Sequence, residues 1–288
     1  MLFIMMIISI AAMRRICEVL DEVPDISDAE AIEDAVPEDG SIEFCGVNFS
    51  YHKDPENLNL TDINLSIKSG EIIGIIGGTG SAKTSLVQMI PRLYDPLSGE
   101  VRVGGRNVKE YTLSTLREST AMVLQKNVLF SGTIRENLLW GNENASEEAL
   151  WAALEIAQAR EVVKSKEGEL EASVSQGGTN FSGGQRQRLT IARALVRKPK
   201  ILILDDSASA LDYATDAALR QAIRGMENPP TTFIVSQRAS SVRFADLILV
   251  LEDGEMVDSG THEELLSRCA VYQEIYYSQF EKEAVNNG

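Results

Sequence analysis

The sequence predicts an α/β fold in which helices cover both faces of a largely parallel sheet. Short apolar runs such as ILILDD, residues 201–206, are typical of strands that are buried on both faces. Helical patterns alternate with these runs, for example GGQRQRLTIARALV before ILILDD and DYATDAALRQAIRGM after it. Such alternation favours parallel strands joined by helical crossovers. A long helical pattern between Gly132 and about Leu189 predicts a helical subdomain within this fold.

The composition is that of a globular domain and limits the classes of partner. The chain has 288 residues, of which 44% are hydrophobic and 24% charged, so it can bury a sizeable core. Its net charge of −16 argues against non-specific binding of nucleic acid, which requires lysine and arginine to neutralise phosphates. Cys17, Cys45 and Cys269 are far apart and lack metal-site spacing, so we expect reduced thiols in a cytosolic setting.

The chain begins with an apolar segment that is followed by an acidic one. MLFIMMIISIAA precedes Arg14 and Arg15, an order typical of the cytoplasmic end of a membrane helix. These 12 residues would rise only about 18 Å against about 30 Å of hydrocarbon, so they cannot span a membrane alone. A buried helix of a soluble protein is the alternative. Residues 18–39 carry ten acidic side chains and no lysine or arginine, which indicates a solvated connector.

From Ser41 onward the strands and helices can be assigned in order. The pattern predicts strands in SIEFCGVNFSY, EIIGIIG, GEVRVGG and AMVLQ, the last of which ends at Gln125. SEEALWAALEIAQAREVV predicts a helix that is capped by Ser146. After ILILDD and one more helix come the strands TTFIVS and DLILVLEDG and the segment EMVDSG. The helices THEELLSR and VYQEIYYSQFEK close the domain, and we expect residues 282–288 to be frayed.

A glycine-rich loop indicates a phosphate-binding site. GGTGSAKT, Gly77–Thr84, follows a strand and opens a helix, and it fits the phosphate-loop pattern with alanine in place of the second glycine. Backbone N–H groups of such a loop suit a phosphate, Lys83 would neutralise the β and γ phosphates, and Thr84 would offer its hydroxyl to Mg²⁺. Ala82 is tolerable there if it keeps a negative φ. A glycine-rich turn without function is the alternative.

Two carboxylates end the buried strand ILILDD. Asp205 stands where phosphate-loop ATPases place the carboxylate that serves Mg²⁺. Asp206 raises the question of what a second acid does at the same edge. One interpretation is that Asp206 only caps the next turn.

The stretch FSGGQRQR, Phe181–Arg188, is the most specific in the chain. Together with the loop and strand above, it makes residues 41–280 resemble the nucleotide-binding domain of an ABC transporter of the exporter type. The resemblance implies a phosphate-loop (RecA-like) ATPase core with an antiparallel β subdomain and a helical ABC subdomain. It places the nucleotide-binding domain at residues 41–281, with the helical subdomain at about 126–190, and the acidic connector at residues 18–40.

The resemblance also implies a role for each matching residue. Ser182, Gly183 and Gly184 also open a helix, where N–H groups favour phosphate. The implied nucleotide-binding residues are Tyr51 against adenine, Gly77, Gly78, Thr79, Gly80, Ser81, Ala82, Lys83, Thr84, Ser85 and Gln125. The implied Mg²⁺ ligands are Thr84, Gln125 and Asp205; the signature for the partner's ATP is Phe181, Ser182, Gly183, Gly184 and Gln185; and the D-loop is Ser209, Ala210, Leu211 and Asp212.

Two residues depart from the family pattern. Asp206 stands where the family has a glutamate as general base, and Gln237 stands where it has the switch histidine. Aspartate is one methylene shorter, which sets its carboxylate roughly 1.5 Å back, and glutamine cannot carry a proton. With the signature kept, this pattern resembles the degenerate half of a heterodimeric multidrug-type exporter, which binds ATP and Mg²⁺, cleaves ATP poorly, and completes the competent site of a partner.

The resemblance implies partners and leaves alternatives. Residues 1–17 would be the truncated inner end of a last transmembrane helix, so we expect a fragment of a longer half-transporter. The domain would pair with a second nucleotide-binding domain and a transmembrane domain at the cytoplasmic face of the cell membrane. A homodimeric ATPase with Asp206 as its base and a soluble ABC ATPase without a transport role are the alternatives. The transported substrate cannot be named from the sequence.

Overall fold

The computed structural model describes residues 1–206 and 211–286, with side chains up to Gln279 in the last helix. Its strands are β1 Ile42–Phe49, β2 Leu60–Ile67, β3 Ile72–Ile76, β4 Ser98–Val103, β5 Arg106–Asn107, β6 Thr120–Val123, β7 Gly132–Thr133, β8 Ser173–Val174, β9 Ile201–Asp205, β10 Thr231–Val235, β11 Leu247–Glu252 and β12 Glu255–Gly260. Its helices are α1 Leu2–Leu20, α2 Lys83–Gln88, α3 Leu113–Ser119, α4 Ile134–Leu139, α5 Glu147–Ile156, α6 Arg160–Lys164, α7 Gly183–Val196, α8 Tyr213–Arg224, α9 Ala239–Val242, α10 His262–Arg268 and α11 Ala270–Asn286.

The central sheet has six strands in the order β12-β11-β3-β10-β9-β6. Its strands pair in parallel from β11 to β6, and β12 adds an antiparallel edge. All five residues of β9 are buried, and its four apolar residues alternate between two cores. Ile201 and Ile203 belong to one core, whereas Leu202 and Leu204 belong to the other. Because both faces of the sheet are covered, residues 201–204 form an unbroken apolar run, as the sequence predicts.

A second sheet and a helical part complete the fold. The antiparallel sheet has the order β2-β1-β4-β5 and shares a core with one face of the central sheet. Helices α4, α5 and α7 pack on one another, and the β7–β8 ribbon lies in the same part of the chain. This is the α/β architecture predicted from the sequence, with its antiparallel and helical additions. The domain boundaries proposed from the sequence stay predictions.

The first helix has no buried residue along its length. Its apolar side chains are largely exposed, as Met1 to Ile8 illustrate. Within the described ranges, no helix combines the length and the apolar character that crossing a membrane requires.

Three predicted element boundaries differ from the structure. The helix predicted for SEEALWAALEIAQAREVV is two helices, α5 and α6, because Gln158 has a left-handed φ of 56° between them. The strand predicted to end at Gln125 ends at Val123, so Gln125 lies in an exposed loop. The last helix continues to Asn286, past the point where fraying was expected.

Candidate functional site

A pocket of about 320 Å³ opens at the carboxyl ends of β3, β9 and β10. Ligand sites of open α/β sheets usually form at this edge. Most residues that the sequence predicts for nucleotide and metal binding meet here. The pocket is lined by Tyr51, Asn59, Thr79, Gly80, Ser81, Ala82, Lys83, Thr84, Ser85, Gln125, Asp205, Asp206, Val235, Ser236 and Gln237.

The glycine-rich loop joins the buried strand β3 to helix α2. A side chain at Gly77 is impossible, because a Cβ there would lie 2.1 Å from the carbonyl oxygen of Leu251. At Gly78 and Gly80, by contrast, a Cβ would meet no atom within 4 Å. Gly77 therefore allows the loop to pack closely against the protein, whereas Gly78 and Gly80 leave the loop backbone open to a ligand.

Lys83 is buried within this loop, with 8% of its surface exposed. Its Nζ donates hydrogen bonds to the carbonyl oxygens of Gly77 at 3.0 Å and Gly78 at 2.6 Å, and to the Ser81 Oγ at 3.0 Å. Burial lowers the pKa of Lys83, while the nearby Asp205 and Asp206 raise it. The ammonium is thus fixed at the loop by three neutral oxygen atoms, an arrangement that suits an anionic ligand.

Ala82 has a backbone conformation that differs from the expected one. Its φ is +63°, in the left-handed region, and it is the N-cap of α2 without a side-chain capping bond. The expected negative φ is therefore wrong. The loop requires the left-handed turn that glycine adopts freely, and alanine adopts it at a cost of about 1–2 kcal/mol.

Thr84 and Asp205 form a pair at the base of the pocket. The Thr84 hydroxyl lies 3.1 Å from each carboxylate oxygen of Asp205, to which it donates. Asp205 ends β9 and is 6% exposed. Burial raises the pKa of Asp205, the hydrogen bond from Thr84 lowers it, and the neighbouring Asp206 raises it further. A hydroxyl and a carboxylate side by side are the oxygen ligands that suit Mg²⁺.

Asp206 also faces this pocket, although it directly follows Asp205. Its φ of +47° turns the chain at the end of the strand, and its N–H donates to the carbonyl oxygen of Val235 at 2.9 Å. Its Oδ2 accepts a hydrogen bond of 2.7 Å from the Nε2 of Gln125. The structure thus joins Gln125 to Asp206, rather than to Thr84 or Asp205, with which the sequence groups it as a metal ligand.

Gln237 reaches the pocket from the segment after β10. Its Oε1 lies 3.5 Å from the hydroxyl of Thr79 in the glycine-rich loop. The residue of the expected switch position is therefore next to the phosphate loop.

Tyr51 lies at the rim of the pocket, and 44% of its surface is exposed. Its hydroxyl forms a hydrogen bond of 2.6 Å with the Oγ of Ser85, and its ring makes edge contacts with Phe49 and Tyr94. Its backbone N–H donates to the Asn59 Oδ1 at 3.0 Å. Sequence reasoning missed Asn59 and Ser236, because neither belongs to a recognisable motif.

The signature residues lie at the start of α7, away from the residues that line this pocket. Ser182 and Gln185 form a capping box, in which the Ser182 Oγ accepts from the Gln185 N–H and the Gln185 Oε1 accepts from the Ser182 N–H. Ser182 and Gly183 are exposed, and Gly184 is half-buried. Phe181 is 3% exposed and packs in the core, so its side chain does not face a ligand.

The predicted D-loop is only partly within the structure. Ser209 and Ala210 lie outside the described residues. Leu211 packs against the core, and Asp212 is the N-cap of α8, where its carboxylate accepts from the Thr215 N–H at 2.9 Å.

The side chains of the pocket fit a magnesium nucleotide. An open glycine loop and a buried ammonium suit phosphates, the Thr84–Asp205 pair suits Mg²⁺, and an exposed tyrosine at the rim suits a base. A glycine-rich loop between the buried strand β3 and a helix, with a carboxylate at the end of β9, one strand removed from β3 in the sheet, is typical of a phosphate-loop ATPase fold.

The particular family follows from comparison with known proteins. The family described as ABC transporter matches residues 60–209, and the chain belongs to this family and carries its ATP-binding domain. The chain is 44% identical over 269 residues to the uncharacterized ABC transporter ATP-binding protein YfiB of Bacillus subtilis, covering 93% of this chain and 46% of that protein.

Two further matches cover similar shares of this chain and of the matched protein. A provisionally named multidrug export ATP-binding/permease protein of Staphylococcus aureus strain NCTC 8325 is 37% identical, covering 91% of this chain and 45% of that protein. The solved structure of a bacterial Atm1-family ABC exporter with ATP bound superposes with a TM-score of 0.83 at 30% identity, covering 95% of this chain and 47% of that one. The chain therefore spans about half the length of these relatives.

Proposed function

We propose that this chain is the ATP-binding part of an ABC exporter whose own site binds MgATP and hydrolyses it weakly. One observation carries the proposal: the pocket keeps its phosphate- and metal-binding groups, while Asp206 and Gln237 replace the two groups that would activate water. The names of the similar Staphylococcus aureus protein and of the Atm1-family structure support export as the process that ATP drives.

Binding is assigned to the loop and the base of the pocket. The loop N–H groups and Lys83 would hold the phosphates, and Tyr51 would contact the base. Mg²⁺, held by Thr84 and Asp205, would neutralise phosphate charge. We expect Gln125 to stay near the metal through its contact with Asp206.

Weak hydrolysis is assigned to the two altered residues. The carboxylate of Asp206 sits roughly 1.5 Å short of where a glutamate would place it. A displacement of about 1 Å can cost about 100-fold in rate. Gln237 can donate its amide to a phosphate, but it cannot supply positive charge or exchange a proton.

The signature is assigned to a site on another subunit. Ser182, Gly183 and Gly184 lie outside the pocket of their own chain, and the N–H groups of Gly183 and Gly184, which the capping box does not use, suit the γ-phosphate of an ATP held by a partner domain. We propose that this partner is a different chain with an intact base, and that the pair works with a transmembrane domain at the cytoplasmic face of the membrane.

The test compares MgATP binding and steady-state phosphate release by the purified chain. We expect binding with little turnover, a gain in turnover in the double variant Asp206→Glu with Gln237→His, and loss of binding in Lys83→Ala. Lys68→Ala, an exposed lysine outside the pocket, serves as the matched control and should leave binding unchanged.

Sustained turnover by the unmodified chain, abolished by Lys83→Ala, would contradict the weak-site proposal. Asp206 would then be a working base, and the homodimeric ATPase would replace the heterodimer. Absence of nucleotide binding in the unmodified chain would contradict the proposed function altogether.

A further inference from the structure

The last helix contacts the backbone of residues 237–239, which follow β10 and are called the switch segment below. Gln279 of α11 places its carboxamide alongside residues 237–239. Its Nε2 donates to the carbonyl oxygen of Gln237 at 2.7 Å, and its Oε1 accepts from the N–H of Ala239 at 2.9 Å. One side chain thus satisfies two backbone groups on either side of Arg238.

The backbone N–H at Ala239 has a particular need for this acceptor. Ala239 is the first residue of α9, and the N-cap residue Arg238 makes no side-chain capping bond. Helix-start N–H groups have no partner within the helix, and Ala239 is fully buried, so water cannot serve it. Gln279 therefore caps α9 from a position 40 residues along the chain.

The helix that carries Gln279 is itself held firmly. The Tyr272 side chain of α11 is fully buried, and its hydroxyl forms a hydrogen bond of 2.8 Å with the Nδ1 of His262 in α10. Helix α11 also packs against α9. Gln279 can thus hold the switch segment against a fixed support.

We propose that Gln279 is a positioning residue that aims Gln237 at the phosphate end of the nucleotide pocket. Gln279 fixes the backbone carbonyl of Gln237, and this sets the direction in which the Gln237 side chain extends toward Thr79. The inference rests on the proposed function, because its consequence is discrimination between ATP and ADP at this pocket. The end of α11 would thereby influence a site to which it contributes no lining residue.

Two variants of the full chain separate the two hydrogen bonds. Gln279→Met keeps the length of the side chain and removes both bonds. Gln279→Glu keeps an acceptor for the Ala239 N–H and removes the donor to Gln237. Gln273→Ala is the matched control, because Gln273 is on the same helix and its Nε2 donates to the carbonyl oxygen of Leu266 at 2.7 Å, away from the switch segment.

The affinities of the chain for MgATP and MgADP give the decisive readout. Each is measured with a fluorescent analogue of that nucleotide, and both analogues carry the same label. We expect both Gln279 variants to lose about threefold to tenfold in MgATP affinity while MgADP affinity is kept, since one or two hydrogen bonds that orient Gln237 are lost. Amide hydrogen exchange at Ala239 should accelerate in Gln279→Met and stay slow in Gln279→Glu. The Gln273 variant should match the unmodified chain in every measurement.

An unchanged ratio of ATP to ADP affinity in Gln279→Met would overturn the inference, even if the exchange at Ala239 accelerates. An equal loss of both affinities would also overturn it, because it would indicate general destabilisation. If the unmodified chain binds no MgATP, the proposed function and this inference both fail. If it binds MgATP and Gln279→Met leaves the ratio of ATP to ADP affinity unchanged, only this inference fails, so the two failures are distinguishable.

Discussion

Two helices of this chain begin with small residues and are proposed to contact phosphate, yet they are built differently. Helix α2 begins after Ala82, which is left-handed and provides no side-chain cap. A buried ammonium and a buried carboxylate lie beside this start. Helix α7 begins at an exposed serine whose capping box with Gln185 satisfies the N–H groups of these two residues within the chain itself.

This difference shows that the start of α2 lowers the stability of the unliganded chain, whereas the start of α7 does not. Around α2, burial shifts the pKa of both Lys83 and Asp205 toward the neutral form, so the single chain bears a cost that a bound magnesium nucleotide would offset. Around α7, the capping box forms two hydrogen bonds at the helix start, which stabilise the fold without a nucleotide. Substitutions at the two starts should therefore change stability in opposite directions.

The largest expected effect is at Asp205. Asp205→Asn should raise the free energy of unfolding by about 1 kcal/mol without nucleotide, because it removes a buried charge at a functional site. A raised carboxyl pKa makes the ionised form costly, so the gain should be full above the raised pKa and shrink as the pH falls through it toward the ordinary value near 3.9. Urea unfolding from pH 8 down to about pH 4 measures this trend.

The control for Asp205 is Asp253→Asn, since Asp253 is exposed in a turn and asparagine tolerates its left-handed φ. A stability loss in Asp205→Asn at pH 8 would show that the carboxylate is already well compensated. The contrast between the two helix starts would then be wrong.

A change of similar size but opposite sign is expected at the signature. Ser182→Ala should lower the free energy of unfolding by about 1 kcal/mol, because it removes the N-cap of α7. MgATP affinity of the single chain should not change, since Ser182 does not line the pocket. Ser146→Ala, which removes the equivalent cap of α5, should give a similar loss of stability. Weaker ATP binding in the Ser182 variant alone would mean that the signature acts on its own chain's nucleotide.

The smallest expected effect is at Ala82. Ala82→Gly should raise the free energy of unfolding by about 0.5 kcal/mol, because relief of about 1–2 kcal/mol of left-handed strain outweighs the 0.5–1 kcal/mol entropy cost of glycine. Thermal unfolding measures the change. The same substitution at Ala214, exposed within α8, should destabilise the chain. If both glycine variants destabilise, Ala82 is not strained.

Local features of this site could be predicted from the sequence, whereas long-range ones could not. The phosphate loop, the strand Ile201–Asp205 and the start of α7 depend on neighbouring residues, and the pattern places them correctly. The sign of φ at Ala82 could not be predicted, because alanine usually avoids that region. The break at Gln158 was missed, since the apolar periodicity continues across it.

Contacts between distant segments carry no signal in a single sequence. Gln279 and Gln237 are 42 residues apart, and nothing in VYQEIYYSQFEK distinguishes a glutamine that binds a switch segment from one on a solvated face. The contact between Gln125 and Asp206 likewise depends on how a loop lies over a strand end, 81 residues away.

The left-handed backbone at Asp206 limits the mutational routes open to this site. A short acid adopts a φ of +47° more readily than a longer side chain, because its carboxylate can bond to nearby backbone. A single change to glutamate would extend the reach of the acid but inherit a conformation that disfavours it. Asp206→Glu, alone or with Gln237→His, should therefore raise turnover only in part, because the left-handed backbone still disfavours the longer side chain.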